Sequence, residues 1–221
     1  MILLPHILLA QIPSSTKQLL VVSTANWSVS SAMLQRYEKI SGKWKKVGKA
    51  ISVKVGKNGL AWGRGLHRNP KGSKRLKKEG DGRAPAGIFR LTYVFGEKSK
   101  NIKFPYRQMT RQHHCVDDSK SQHYNLVVDS RQVKKDYKSF EYMKFPSGLY
   151  SYGIFVDHNP KRIPKAGSCI FIHIKKASGK PTVGCTAMSK PEIAGIIKWL
   201  DPKKKPLLVQ APKTHIKSLF P

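Results

Sequence analysis

Apolar residues in this chain come in short runs, most of them compatible with extended structure, and a single late stretch carries helical spacing. Residues 17–24 (KQLLVVST) predict a strand. Residues 31–40 (SAMLQRYEKI) alternate loosely between apolar and polar, then Ser41-Gly42-Lys43 turns into a similar run that starts at Trp44, which predicts a β-hairpin. Ala84-Pro-Ala-Gly87 punctuates the chain before a strand from Ile88. Residues 124–129 (YNLVVD), 153–157 (GIFVD), 168–174 (SCIFIHI) and 206–210 continue the series. The helical stretch opens at Ser189, a good N-cap, with Pro191 in the first turn, where a missing N–H costs no helical bond. Glu192 stands where a capping box requires it. Ile193, Ile196, Ile197 and Leu200 then share one face until Asp201-Pro202 ends the helix. Many short strands with one late helix predict a mainly-β sandwich or barrel.

Length and composition add a domain count and a compartment. The 221 residues, 39% hydrophobic, are enough for one core, and residues 17–221 read as a single domain. Residues 1–16 form a separate segment: its first ten are apolar and lead into Gln-Ile-Pro-Ser-Ser, like the end of a signal peptide without its basic start. That segment is far shorter than the roughly 20 residues that span a bilayer, so the expectation is export to the periplasm or cell envelope with no transmembrane segment.

Charge alters the picture more. Lys and Arg number 42 against 12 Asp and Glu, a formal +30, and such a field attracts polyanions: nucleic acid, anionic lipid or acidic wall polymers. The densest runs, residues 64–83, 161–180 and 198–217, are broken by Gly and Pro and carry neither zinc-ligand spacing nor a basic recognition helix. They read first as a solvated basic surface, with a face that attracts a wall polymer as the alternative, and specific nucleic-acid binding is not expected. The three cysteines, Cys115, Cys169 and Cys185, contain no CxxC pair and form no framework; their odd number leaves at least one free thiol. His113 and His114 beside Cys115 would face opposite ways on a strand, so neither a metal nor a cofactor is expected.

The candidate chemistry lies late in the chain. On a strand over residues 168–174, His173 shares a face with Phe171 and Cys169 and ends the run at the rim of a sheet. Cys185 follows in Pro181-Thr-Val-Gly-Cys185, just ahead of the capped helix, and the 175–180 loop (KKASGK) is long enough to bring the two together. Gly184 allows a tight turn that presents the thiol and neighbouring N–H groups to one point, where amides hold an oxyanion and an imidazole serves the sulfur. A satisfied core pair of His and Cys is the competing reading of the same residues.

The ordered set of pieces around this pair resembles the L,D-transpeptidase catalytic domain (YkuD-type) family, in a branch with short His-to-Cys spacing. The matching pieces are Gly56-Lys-Asn-Gly-Leu-Ala-Trp-Gly63, Asp81-Gly-Arg-Ala-Pro-Ala-Gly-Ile-Phe89, Cys115-Val-Asp-Asp118 with Tyr124-Asn125, and Asp157-His-Asn159. Gly167-Ser-Cys-Ile-Phe-Ile-His173, Pro181-Thr-Val-Gly-Cys185 and Trp199-Leu-Asp-Pro202 close the set, over about residues 47 to 210. The resemblance implies a β-sandwich with one late helix and a cysteine acyltransferase acting on peptidoglycan stem peptides. Cys185 would be the nucleophile and His173 its base, with the Ile174 carbonyl orienting the ring. The Gly184 and Cys185 amides would form the oxyanion hole, while His158, Asn159 and Thr182 would contact substrate.

Three departures accompany the match. Val183 stands where the family motif has a second His, Ala187 stands where it has Arg or Asn, and the spacing from His173 to Cys185 is shorter. The nucleophile and base survive, while the acceptor, amine or water, is left open. A hydrolase of the same fold (an L,D-carboxypeptidase or amidase) and a catalytically silent domain that binds wall or another polyanion are the alternatives. Asp117 and Asp118 are expected to form salt bridges within a basic protein, and Cys169 to be a small buried hydrophobe.

Overall fold

The computed structural model describes residues 12–97 and 102–220. The first eleven residues, most of the expected leader, lie outside the described residues. The fold is mainly β with a late helix. In chain order the strands are β1 (Gln18–Thr24), β2 (Ser31–Ile40), β3 (Lys43–Lys54), β4 (Leu60–Trp62), β5 (Ala84–Gly96), β6 (Tyr106–Gln108), β7 (His113–Val116), β8 (Val127–Asp129), β9 (Phe140–Tyr142), β10 (Tyr152–Asp157), β11 (Phe171–Ile174), β12 (Thr186–Met188) and β13 (Leu207–Pro212). Helix α1 (Lys190–Trp199) precedes β13, and α2 (Lys213–Leu219) follows it.

The main sheet runs β10-β11-β12-β3-β2-β1-β13-β5, and β5 pairs back with β10, so its hydrogen bonding closes on itself. Closure removes free edges from these strands. It also explains the unbroken apolar run of β1: between parallel β13 and antiparallel β2 it is buried along almost its whole length, leaving no solvent face for polar residues. The β2–β3 hairpin turns through Ser41 and Gly42 at φ +48° and +79°, the mirror-image turn whose twist matches the strands.

Helix α1 starts at Ser189 as its sequence predicts. The Glu192 carboxylate accepts from the Ser189 N–H (2.8 Å) and hydroxyl (2.6 Å), and Ile193, Ile196 and Ile197 are buried. The second helix, α2, carries neither a polar N-cap nor a clear apolar stripe, because its first turn follows directly from β13 through Pro212.

A small antiparallel sheet, β8-β7-β9, forms outside this circuit and pairs Cys115 with Glu141 across β7 and β9. It is cross-linked to the main fold by a disulfide between Cys115 and Cys169, which corrects two expectations at once. Cys169 is a cross-link and not a packed hydrophobe, and the strand expected over residues 168–174 begins only at Phe171. Cys169 sits at φ +54°, outside strand geometry, and its N–H donates to Asn125 Oδ1 at 3.0 Å. Two cysteines far apart in sequence carry no spacing signal for such a pair.

The cross-link closes a loop with a sequence separation of 54, long enough to restrict the unfolded chain substantially. The double substitution Cys115→Ser/Cys169→Ser is expected to lower stability by about 2–4 kcal/mol, read as a shifted denaturant midpoint against the oxidised parent.

Candidate active site

Parallel pairing of β11 with β12 places His173 opposite Ala187 and Ile172 opposite Thr186, so Cys185 enters β12 beside the start of β11. The Phe171 N–H points at Cys185 Sγ at 3.3 Å, and Sγ lies 3.6 Å from the Cys169 carbonyl oxygen. The thiol is thus held between an amide donor and a carbonyl acceptor at the base of β11. Among the described residues Cys185 is the free cysteine.

His173 and Cys185 line one cleft of about 260 Å³, together with Tyr150, Leu149, Phe145 and Val183. Both are nearly enclosed, at 8% and 5% exposure, so neither is freely hydrated. The His173 Nδ1 lies 2.7 Å from the Ile174 carbonyl oxygen. A carbonyl only accepts, so Nδ1 carries the proton and Nε2 is left as the basic nitrogen. The Tyr150 ring meets the imidazole edge-to-face at 5.3 Å and fixes the plane in which it turns.

Burial sets the protonation of the pair. It holds the imidazole down to about 4, against the favourable bond to Ile174. Burial, and then the charge of Glu141, push the Cys185 thiol far above the ordinary thiol range. The resting site therefore pairs a neutral thiol with a neutral imidazole.

A second cleft, of about 240 Å³, reaches Cys185 from the other side between Gly184, Ile170, Lys77, Asp117 and Glu141. Glu141 lines both clefts, and its carboxylate accepts from the Tyr150 hydroxyl at 2.7 Å. Burial raises Glu141 to about 7, opposed by that hydrogen bond. Its short strand, Phe-Glu-Tyr, has no motif, and only the scarcity of acidic residues in a basic chain singles it out.

Thr182 lines the first cleft and also shapes the turn before Cys185: its hydroxyl donates to the Cys185 carbonyl (2.6 Å) and accepts from the Gly184 N–H (3.2 Å). One of the two amides expected to face an oxyanion is thus occupied by Thr182 in this state. Space is what makes glycine fit at 184, since a Cβ there would lie 3.1 Å from Ile170 and 3.3 Å from the Arg83 carbonyl oxygen. Val183, in place of the family's second His, is 68% exposed at the cleft wall.

His158 and Asn159, expected beside substrate, are fully buried and line neither cleft. Asn159 instead donates to the carbonyls of Ile163 (3.0 Å) and Gly167 (3.1 Å), while His158 packs against Gly167. Together they shape the segment leading into Cys169. Asp117 and Asp118 form no ion pair among the described residues; Asp118 accepts backbone N–H groups of Lys120 and Lys138 instead.

The basic run of residues 64–83 is not wholly a solvated face. The Lys77 side chain, 3% exposed, lines the second cleft and is paired with Asp81 at 2.6 Å. Asp81 also accepts the Lys78 and Arg83 N–H groups, so one carboxylate organises the loop that flanks Gly184.

A mainly-β domain with a buried thiol and an imidazole on one cleft is the class that the fold and site define. The model of the L,D-transpeptidase catalytic domain (YkuD) matches residues 31–209, and the chain belongs to this family. A solved structure, the crystal structure of the helical cell shape determining protein Pgp2 from Campylobacter jejuni, is similar at TM-score 0.45 and 14% identity, covering 89% of this chain and 48% of that one. This chain thus spans about half the length of that protein. No curated protein sequence matches it.

The Lys77–Asp81 pair generates a stability prediction. Asp81→Asn leaves a buried ammonium without its counter-charge and is expected to cost about 3–5 kcal/mol, visible in thermal or denaturant unfolding.

Proposed function

We propose that the protein is a cysteine acyltransferase of the cell envelope that acts on peptidoglycan stem peptides through a Cys185 thioester. What carries this reading is the meeting of Cys185 and His173 on one cleft, with Nδ1 tied to the Ile174 carbonyl so that Nε2 serves as base, in a chain of the L,D-transpeptidase family.

The reaction divides into two transfers. As Cys185 Sγ attacks the carbonyl carbon at the L-centre of a diamino acid, its proton passes to His173 Nε2. The tetrahedral oxyanion forms against the Cys185 amide, and against the Gly184 amide once that N–H exchanges Thr182 Oγ1 for the new charge. The C–N bond then breaks, and the imidazolium returns the proton to the departing D-alanine nitrogen. In the second transfer an acceptor gives its proton to the neutral imidazole and attacks the thioester, releasing the Cys185 thiol. The Phe171 N–H supports the sulfur when it is negative. Attack on a buried neutral thiol requires deprotonation to accompany bond formation or substrate binding.

An amine acceptor gives transpeptidation and water gives carboxypeptidase hydrolysis. The exposed Val183 at the cleft wall supports keeping hydrolysis as the second reading, because no imidazole stands there to hold an amine. Substrate lies in the wall, so the reading carries an extracytoplasmic location, and the +30 surface suits a polyanionic wall.

Incubation with a tetrapeptide stem and an amine acceptor, followed by mass spectrometry, is expected to show loss of D-alanine, a Cys185 acyl-enzyme and either a cross-linked or a hydrolysed product. Cys185→Ala and His173→Ala are each expected to lower turnover by at least about 10³-fold with the fold retained. Turnover that survives Cys185→Ala rejects the nucleophile.

The pH dependence follows from His173. A base held down to about 4 is neutral throughout the neutral range, so its protonation stops catalysis only as pH falls through about 4, not near the ordinary histidine value. Acylation of Cys185 by a small uncharged β-lactam, followed by mass across acid pH, measures that limb.

A further inference from the structure

Glu141 lies at the junction of the two clefts that meet at Cys185, and the reaction as written gives it no role. Its surroundings are unusual for this chain. With 42 Lys and Arg against 12 Asp and Glu, a cation is easily supplied to any carboxylate, yet among the described residues Glu141 forms no ion pair. The ammonium that shares its second cleft, Lys77 Nζ, is committed to Asp81 (2.6 Å) and to the Lys78 carbonyl (2.8 Å). Its hydrogen-bond partner among the described residues is the Tyr150 hydroxyl, which donates to it and orients it. Cys115, paired opposite Glu141 in the small sheet, is bonded to Cys169, whose carbonyl faces the thiol; the strand that carries Glu141 is therefore anchored, through its neighbour β7, to the wall beside Cys185.

We infer that Glu141 is a specificity-determining residue that receives the distal ammonium group of the diamino acid whose L-centre carbonyl Cys185 attacks. The inference rests on the acyl-transfer reading above. A carboxyl enclosed beside a reactive carbonyl, satisfied by one neutral hydroxyl, complements a substrate cation better than a substrate anion or an apolar side chain. The groups around it agree. Tyr150, Cys185 and the carboxyls of Asp117 and Glu79 face it, Lys57 and Lys77 also line the second cleft, and His173 lines the first. The arrangement also couples recognition to chemistry. After burial, the charge of Glu141 opposes formation of the Cys185 thiolate, and an ammonium seated on Glu141 relieves that part of the opposition. A correct donor thus eases the ionisation of the sulfur that attacks it.

The test compares two synthetic stem peptides, one with the free distal amine and one in which that amine is replaced by hydrogen. Acylation of Cys185 by each is followed by mass in the wild-type chain and in Glu141→Gln. The free-amine peptide is expected to acylate the wild type about 10- to 100-fold faster, the span of one charge-assisted hydrogen bond. In Glu141→Gln that preference collapses to within about threefold, and the des-amino peptide reacts at least as fast as with the wild type, because the opposing charge is gone. A retained preference, or an equal loss on both peptides, overturns the inference; an equal loss is what a merely structural role predicts. Affinity of the two peptides for Cys185→Ala, by calorimetry, requires no substitution at Glu141 and no turnover. Tighter binding of the free-amine peptide supports the inference, and equal affinity overturns it. If neither peptide acylates the wild type, the acyl-transfer reading fails, and the binding comparison still decides whether the carboxyl takes an amine.

Discussion

The parallel pairing of β11 with β12 is the constraint on which the site depends. It sets His173 against Ala187 and brings Cys185 to the foot of β11, where the Phe171 amide and the Cys169 carbonyl bracket the sulfur. Parallel neighbours cannot be joined by a tight turn, so the chain between them must leave the sheet and return. That excursion is residues 175–185, and it brings Thr182, Val183 and Gly184 to the cleft. The closed circuit of the main sheet then holds β11 from its other side through β10 and β12 through β3. His173 and Cys185 are positioned by strand register, with burial following as a consequence.

Register alone leaves the second cleft open-walled. The small sheet supplies the missing wall, and the Cys115–Cys169 bond fixes it to the residue whose carbonyl touches the thiol. Lys77 and Asp81 finish the enclosure from the opposite loop. The result is a site where loss of water favours the neutral thiol and the neutral imidazole.

Periodicity made the frame legible, and proximity in space made the rest illegible. The β2–β3 hairpin and α1 were readable because their turn and cap residues carry local signals: Ser41-Gly42 adopts the required positive φ values, and Ser189 with Glu192 closes the capping box. Cys185 and His173 were readable because an apolar strand and a Gly-Cys turn mark them. Glu141 and Tyr150 were not, since each reaches the cleft through tertiary packing from segments without a pattern. His158 and Asn159 were harder to place for a related reason: a polar pair ending an apolar strand looks exposed, whereas here both are buried and the Asn159 amide satisfies the carbonyls of Ile163 and Gly167. Lys77 shows the same limit for charge, because one buried lysine in a basic run cannot be told from its solvated neighbours by composition.

The single disulfide has a consequence for how the chain matures. Three cysteines permit three different single bonds, and two of them, Cys115–Cys185 and Cys169–Cys185, consume the sulfur that the cleft is built around. All three side chains belong to one apolar cluster, so the mispaired alternatives are spatial neighbours of the native one and are reachable by thiol–disulfide exchange. Oxidation therefore acts as a sorting step: the order in which the cysteines meet an oxidant determines what share of newly made molecules keeps Cys185 as a free thiol, and an exchange catalyst raises that share without altering a single contact in the finished fold.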